Sequence, residues 1–302
     1  MTAVTEIWTF MFVSITVIVM NATFHVFDTE CGVLSTAPGI VTSYPGGDTA
    51  VRELEPLGAG LRPVIWSHCG AIDYAAAGQW AAFHRNRSTD APVLVAPYLP
   101  SARGDHDPTD DARVAARLTA ATGIAHIVTV DPHSPVWADE ARRGGATVTV
   151  IEAVDLVVCG AAHHPGWAGV VAPDKGARDR AGRVASRLGV PLYVAGKQRD
   201  PATGKLSGFV APDGLPGQGR LLVIDDICDG GGTFAGLAEA IRASRPELAL
   251  HLWVSHGCFT GRWRENLAGY ASVTSTDSRA TPDGVHVQPL EPFIVRALAT
   301  LI

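Results

Sequence analysis

The chain has 302 residues, 47% of them hydrophobic, which is enough to form about two domains with buried cores. Its formal net charge of −6 and its lack of a basic stripe argue against a nucleic-acid-binding protein and against a protein that binds membrane surfaces. The five cysteines are scattered and include no CxxC pair, so we expect reduced thiols in a cytoplasmic protein rather than a disulfide framework or a zinc site.

The amino terminus is unusually apolar. No Asp, Glu, Lys or Arg occurs from Trp8 to Phe27, a stretch about long enough to span a bilayer. No basic residue precedes Arg52, however, so the positive flank of a membrane anchor or a signal peptide is missing. We therefore favour an apolar N-terminal extension over residues 1–19, to which we assign no secondary structure, and keep a membrane anchor as the alternative.

Strand and helix signals then alternate, as in a parallel α/β sheet. The segment "ATFHVFD" (22–28) is β-branched and aromatic, so it predicts the first strand. The other signals of this half are strands at 62–68, 92–98 and 124–131, and helices at 71–86 and 110–123.

The segment "RRGGA" (142–146) interrupts the alternation, and a second cycle begins near Thr147. We predict an N-terminal α/β domain over 20–145 and a C-terminal α/β domain over 146–290, with the active site between them. A final helix over 291–302 is predicted to pack back on the first domain. The second cycle comprises strands at 168–174, 190–197, 221–224 and 248–257, helices at 177–188 and 233–244, and a hairpin arm at 206–212.

One segment of the second domain, "LLVIDDICDGGGTF", carries the clearest chemical signal. Its apolar run 221–224 is typical of a central strand covered on both faces, and Asp225 and Asp226 follow at the end where such sheets bind ligands. The glycines at 230–232 open a helix, an arrangement that favours phosphate binding by free amides and the helix dipole. The two acids would repel a phosphate and suit sugar hydroxyls or a hydrated magnesium ion instead. The segment predicts a sugar-phosphate site, with an ordinary acidic turn as the alternative.

The 225–233 loop resembles the ribose-phosphate loop of the phosphoribosyltransferase superfamily. Other segments, in family order from about Met20 to the end, resemble the motifs of ribose-phosphate diphosphokinases (phosphoribosyl diphosphate synthetases). The resemblance implies two consecutive phosphoribosyltransferase-like domains, each with a mostly parallel sheet flanked by helices, in a homo-oligomer. The segments are "YPGGD" (44–48), "PYLPSARGDHD" (97–107), "VDPHS" (130–134), "VVAPDKGARDRA" (170–181), "AGKQRDP" (195–201), "VSHGCF" (254–259) and "TDS" (276–278).

The same resemblance implies an enzyme that transfers the diphosphoryl group of ATP to the 1-hydroxyl of ribose 5-phosphate, with Mg²⁺ as cofactor. Negative charge that develops on the transferred group must be stabilised by positioned cations. Lys197 and Arg199 lie two apart in an extended arm, hence on one side of it, and would clamp that group as the catalytic residues. From spacing alone, a solvated cluster of loop charges is the alternative.

Substrate and metal contacts are also implied by the resemblance. Mg²⁺ would be held by His133 and Asp174, of which the carboxylate is the easier ligand, and a structural histidine is the alternative for His133. The ATP contacts would be Arg103, Asp105, His133 and Asp48. The ribose 5-phosphate contacts would be Asp225, Asp226, Asp229, Gly230, Gly231, Gly232 and Thr233.

Five positions depart from the family pattern. Gly230 stands in place of Thr or Ser and lacks one hydroxyl donor to the 5-phosphate. Asp48 stands in place of Glu in the motif that reaches a neighbouring subunit's ATP. The other departures are Ser101 for Tyr, Gly104 for Gln and Gln198 for Arg.

Two other functions share some of these features. A phosphoribosyltransferase that consumes phosphoribosyl diphosphate shares the 225–233 loop but has no need of "SARGD", "DPHS" or the Lys197 arm. A non-catalytic partner of such synthetases is expected to lack Lys197, Arg199 or His133, and this chain has all three. An active diphosphokinase is therefore the favoured function.

Overall fold

Two six-stranded sheets carry the described part of the chain, which in this computed structural model comprises residues 22–67, 73–161, 166–199 and 206–301. The predicted extension over residues 1–19 lies outside these ranges. Within them, no helix is both long and apolar enough to cross a membrane.

The first half contains strands β1 (Ala22–Asp28), β2 (Val33–Thr36), β3 (Ile40–Ser43), β4 (Thr49–Arg52), β5 (Leu61–Ser67), β6 (Val93–Val95), β7 (His126–Val130) and β8 (Thr147–Ile151), with helices α1 (Tyr74–Arg87), α2 (Asp111–Ala121) and α3 (Pro135–Arg143).

The first sheet has the order β2-β1-β5-β6-β7-β8. The strand β1 pairs antiparallel with β2 and β5, whereas β5 to β8 run parallel. The parallel strands are continuous apolar runs, as in β6, where all three residues are buried, because helices cover such sheets on both faces. Their carboxyl ends therefore point to the same edge of the sheet.

The strand β8 belongs to this first sheet, and its assignment to the second cycle was wrong. It pairs in parallel with β7, from Thr147 opposite His126 to Ile151 opposite Val130. The glycine-rich segment that we took as the boundary is the turn between α3 and β8, where Gly145 has a φ of 93°. A short helix and a tight turn complete a strand–helix–strand crossover here, and the chain leaves the first sheet only after Ile151.

The second half begins beyond helix α4 (Ala153–Ala161), and its sheet is parallel throughout, with the order β10-β9-β13-β14-β15-β16. The remaining elements are strands β9 (Trp167–Ala172), β10 (Leu192–Val194), β11 (Gly196–Arg199), β12 (Leu206–Val210), β13 (Gly219–Cys228), β14 (Leu248–Gly257), β15 (Ser272–Thr276) and β16 (His286–Gln288), and helices α5 (Arg178–Leu188), α6 (Gly232–Ser244), α7 (Trp263–Leu267) and α8 (Glu291–Ala299). The two-sheet α/β architecture matches the predicted fold class.

The central strand β13 is longer than predicted. Its pairing with β9 ends at Val223, but its pairing with β14 continues to Cys228. Asp225 and Asp226 therefore lie within the strand rather than after it, beyond the point where β9 has ended. The end of β9 leaves one side of this segment open to groups from elsewhere in the fold.

A single apolar core joins the two sheets. It includes Val128 of the first sheet and Ile224 of the second, with Leu156 of α4 between them in the chain. Ile294 and Leu298 belong to the same core, and α8 contacts β7 and β8 of the first sheet. Because protein cores are close-packed, this arrangement fixes the carboxyl ends of the two sets of strands relative to each other.

This packing predicts that Ile294→Ala lowers the free energy of unfolding by about 2–5 kcal/mol, because it removes buried methyl groups from the shared core. Arg296→Ala, on the exposed side of the same helix, is the matched control and should change it by about 0.5 kcal/mol or less. Urea unfolding followed by tryptophan fluorescence measures both. If both substitutions changed the free energy of unfolding by the same small amount, α8 would contribute nothing to the core.

Candidate active site

Three carboxylates from the two halves of the chain meet at the site, and we name Asp131, Asp225 and Asp226 the carboxylate cluster. Asp131 directly follows β7, with a φ of 33° that few non-glycine residues adopt. Groups of β14 hold it there, because the Ser255 hydroxyl donates to its carboxylate and His256 Nε2 lies 3.3 Å from its carbonyl oxygen. The "VSHGCF" segment thus anchors the end of the first sheet to the second.

The pKa values of the two neighbouring aspartates of β13 are shifted in opposite directions. Burial raises the pKa of Asp225 well above its usual value, and the charge of Asp226 raises it further. Burial alone would also raise the pKa of Asp226, but a hydrogen bond with His133 and the charge of Arg180 hold it below its usual value. The pair therefore presents one carboxylate that stays ionised and one that gains a proton more readily.

His133 links the predicted nucleotide side to the predicted sugar side. It follows β7 in the first half, and its Nδ1 lies 2.5 Å from Oδ2 of Asp226 in the second half. This hydrogen bond raises the pKa of His133, and the charge of Asp105 adds to the effect. Two of the residues predicted to bind substrates, His133 and Asp226, therefore meet across the two halves.

Arg180 was missed by the sequence reasoning. It lies in the first turn of α5 and faces the whole carboxylate cluster, with Nε 2.8 Å from Oδ2 of Asp131. The sequence signal that could have found it is its position in the "VVAPDKGARDRA" segment, directly before Ala181. The structure shows that Ala181 lies on the buried face of α5. A charged residue at the border of a helix's buried face usually has a partner there.

The glycines of the loop between β13 and α6 differ in their surroundings, because one is closely packed and another faces open space. Gly231 is buried with a φ of 80°, and an added Cβ would lie 3.2 Å from Asn266 and Leu267. Gly232 is exposed at the start of α6, where an added Cβ would meet nothing within 4 Å. Asn266 Nδ2 donates to the carbonyl oxygen of Gly230 at 2.6 Å, so α7 holds the loop in place. The open space at Gly232 and the free amides of the first turn of α6 can accept a phosphate.

Asp229 joins this loop to the first half of the chain. Its Oδ1 accepts a hydrogen bond from Thr260, and its Oδ2 lies 2.8 Å from Nη2 of Arg103. These two contacts hold the pKa of Asp229 below its usual value. Arg103 was predicted to meet ATP, and the structure brings it to the predicted ribose 5-phosphate loop.

A magnesium ion that is also held by substrate phosphates needs few ligands from the protein, and Asp174 is one of the two that were predicted. Asp174 follows β9, and its Oδ1 accepts from the amides of Gly176 at 2.8 Å and Ala177 at 3.2 Å. Within the described ranges, no three His, Cys, Asp or Glu side chains are arranged to hold a metal by themselves. Mg²⁺ is typically bound by one or two carboxylates together with phosphates and water, so a carboxylate such as Asp174 fits the ion without a full protein cage.

Asp48, Lys197 and Arg199 are among the predicted residues that no described contact brings to the cluster. Asp48 lies exposed in the turn between β3 and β4, where its carbonyl accepts from the amide of Tyr44. Lys197 and Arg199 lie in β11, which pairs antiparallel with β12, with a register shift after Gln198. Their side chains lie outside the described part of the structure.

A cavity of about 410 Å³ opens beside the cluster, between α3, β8 and α5. It is lined by Asp131, His133 and Arg180, so groups of both signs face one space. The site as a whole combines a polar pocket, a hydrogen-bonded acid–imidazole pair and a helix terminus with open amides. Such a set can bind a sugar phosphate beside a second anionic ligand.

Comparison with known proteins identifies the family. Residues 166–289 match the phosphoribosyl transferase domain. The chain is 30% identical over 230 residues to a ribose-phosphate pyrophosphokinase of Methanopyrus kandleri, covering 68% of this chain and 71% of that one. It is 26% identical to the enzyme of the same name from Caldanaerobacter subterraneus, covering 88% and 87% of the two chains.

A solved structure shows the same fold. The phosphoribosylpyrophosphate synthetase from Mycobacterium smegmatis superposes with a TM-score of 0.66 at 21% sequence identity, over 88% of this chain and 91% of that one. The likeness therefore extends over both sheets rather than over the glycine loop alone. The family itself is shown by the match to the Methanopyrus kandleri enzyme, and this chain belongs to the ribose-phosphate pyrophosphokinase (diphosphokinase) family.

Proposed function

We propose that this protein transfers the diphosphoryl group of ATP to the 1-hydroxyl of ribose 5-phosphate, giving phosphoribosyl diphosphate and AMP. The observation that carries this function is the 2.5 Å contact between His133 and Asp226, because it joins the predicted nucleotide side of one half to the predicted sugar side of the other. Reaction between two substrates requires that they be held within reach of each other, and a contact across the two halves supports such a geometry.

Ribose 5-phosphate is assigned to the second half. The amides of Gly230, Gly231 and Gly232, with Thr233, receive the 5-phosphate at the start of α6. Asp225 and Asp226 accept hydrogen bonds from the ribose hydroxyls or hold the hydrated metal. Support comes from the open space at Gly232, where an added Cβ would meet no atom within 4 Å.

ATP is assigned to Arg103, Asp105 and His133, with Asp48 reaching the nucleotide of a neighbouring subunit. The exposed position of Asp48 in the β3–β4 turn supports a contact outside its own chain. We accordingly propose a homo-oligomer. A cytoplasmic location is supported by the cysteines at 31, 159, 228 and 258, which are free thiols.

Mg²⁺ is assigned to Asp174 and His133 together with the phosphates of ATP. When bound, the ion neutralises charge on the phosphate oxygens of the nucleotide. The chain's own task is then to hold both substrates and to exclude water from the transferred group. Lys197 and Arg199 are the proposed catalytic residues, and their part is to stabilise the negative charge that develops on the diphosphoryl group.

The direct test supplies the purified protein with ATP, Mg²⁺ and ribose 5-phosphate and measures AMP and phosphoribosyl diphosphate by chromatography. We expect the two products in equal amounts, with no AMP when ribose 5-phosphate is left out. AMP that forms without the sugar would overturn the proposed reaction. Nucleotide formation from phosphoribosyl diphosphate and a free base would instead identify a phosphoribosyltransferase.

The glycine loop predicts a contrast between two neighbouring substitutions. Gly232→Val should raise KM for ribose 5-phosphate by about tenfold or more, because the side chain fills the space in front of the free amides. Gly231→Val should instead lower the melting temperature, since Gly231 has a φ of 80° and close neighbours in α7. Gly217→Val, at another open and exposed position, is the control. An unchanged KM in Gly232→Val would remove the phosphate from this end of α6.

Lys197→Ala should lower kcat by about a hundredfold or more, which is the scale for loss of one donor to a developing charge. The KM values for both substrates should change much less, because the interaction forms mainly in the transition state. Lys197→Arg should restore little activity, since a wide guanidinium cannot replace a compact ammonium. The control is Lys205→Ala, which alters the lysine between β11 and β12 in the sequence. Turnover close to wild type in Lys197→Ala would end the catalytic role of this arm.

A further inference from the structure

Arg180 brings a positive charge into the enclosed centre of the site. It lies in the first turn of α5, and its side chain is only 10% exposed. An arginine with so little contact to water depends on protein groups to compensate the loss of its hydration. Its partners therefore indicate what it does.

Those partners are the three members of the carboxylate cluster. Nε of Arg180 lies 2.9 and 2.8 Å from the two carboxylate oxygens of Asp131. Nη1 lies 3.8 Å from Oδ1 of Asp225, and Nη2 lies 3.7 Å from Oδ2 of Asp226. A planar guanidinium can face three groups at once, which the single ammonium of a lysine cannot do.

The distances separate two roles of this side chain. The contacts with Asp131 are hydrogen bonds, and they join α5 to the end of β7. The contacts with Asp225 and Asp226 are too long for hydrogen bonds, so Arg180 itself uses none of the hydrogen-bonding capacity of these two carboxylates. They place a positive charge opposite two neighbouring carboxylates that would otherwise repel each other.

We propose that Arg180 is a positioning residue for ribose 5-phosphate, which holds Asp225 and Asp226 side by side so that both face the sugar, without touching the substrate itself. The inference rests on the proposed function, because it takes from it the ligand of these two aspartates. Without the guanidinium, repulsion between the two buried carboxylates favours their separation. The binding site for the sugar then loses its arrangement even where the fold is intact.

The experiment uses Arg180→Met and Arg180→Lys in the full chain. Binding of ribose 5-phosphate is measured by calorimetry with Mg²⁺ and α,β-methylene-ATP, in which the bond broken by the proposed reaction is replaced, so that no product forms. Kinetic constants and melting temperatures are measured alongside. We expect Arg180→Met to weaken ribose 5-phosphate binding by about tenfold or more, with a matching rise in KM, because a buried charge pair has lost one partner.

Arg180→Lys keeps a charge that reaches Asp131 but cannot span the cluster. It should retain a melting temperature close to wild type and still bind ribose 5-phosphate about fivefold or more weakly. If Arg180→Met does not fold, the binding measured with Arg180→Lys tests the proposal instead. Arg187→Met, in the exposed last turn of the same helix, is the matched control and should change binding by about twofold or less.

A folded Arg180→Met or Arg180→Lys variant that binds ribose 5-phosphate as tightly as wild type overturns the proposal, and Arg180 is then only a link between α5 and β7. The proposed function is tested separately by the wild-type protein. If wild type binds ribose 5-phosphate but releases no AMP from ATP, the reaction is wrong while the calorimetry still decides the role of Arg180. If wild type binds no ribose 5-phosphate, both are overturned.

Discussion

Repulsion among three buried acidic side chains is the constraint around which this site is built. Asp131, Asp225 and Asp226 meet near the carboxyl ends of strands of the two sheets, and burial alone raises the pKa of Asp225 and of Asp226. Two groups oppose that tendency at Asp226, a hydrogen bond with His133 from the loop after β7 and the charge of Arg180 from α5. The charge balance needs groups from both halves of the chain, so neither sheet could form this site alone. The apolar core shared by the two sheets holds the two halves of the chain in a fixed arrangement.

Local signals in the sequence predicted where the strands lie better than they predicted which strands pair with each other. The strand at 22–28 forms as predicted because its β-branched and aromatic residues suit a sheet wherever it pairs. The extent of β13 depends on β14, which continues beside it to Cys228, and no property of the segment itself contains that information. The same holds for β8, whose place at the edge of the first sheet follows from a crossover that no single segment encodes. Tertiary pairing therefore accounts for both differences.

The candidate site shows the same division. The prediction of a sugar-phosphate loop rested on local signals, acids and glycines that precede a helix, because each residue type has a local geometric role there. The partners of those residues could not be read from the chain, since Arg103 and Asp229 are 126 positions apart and Arg180 and Asp131 are 49 apart. Spacing also could not tell Gly231, which packs against α7, from Gly232, which faces open space.

The ion pair between Arg103 and Asp229 has a consequence for how the two substrates influence each other. It joins the loop assigned to the nucleotide with the loop assigned to the sugar phosphate, at 2.8 Å. A ligand whose phosphate attracts Arg103 would break the ion pair with Asp229. In the same way, a ligand that moves Asp229 would remove the partner of Arg103. Because binding free energies do not depend on the order of events, the factor by which one ligand alters the affinity of the other is the same in both directions. Under the assignments proposed above, this ion pair is the contact through which the nucleotide and the sugar phosphate would affect each other's binding.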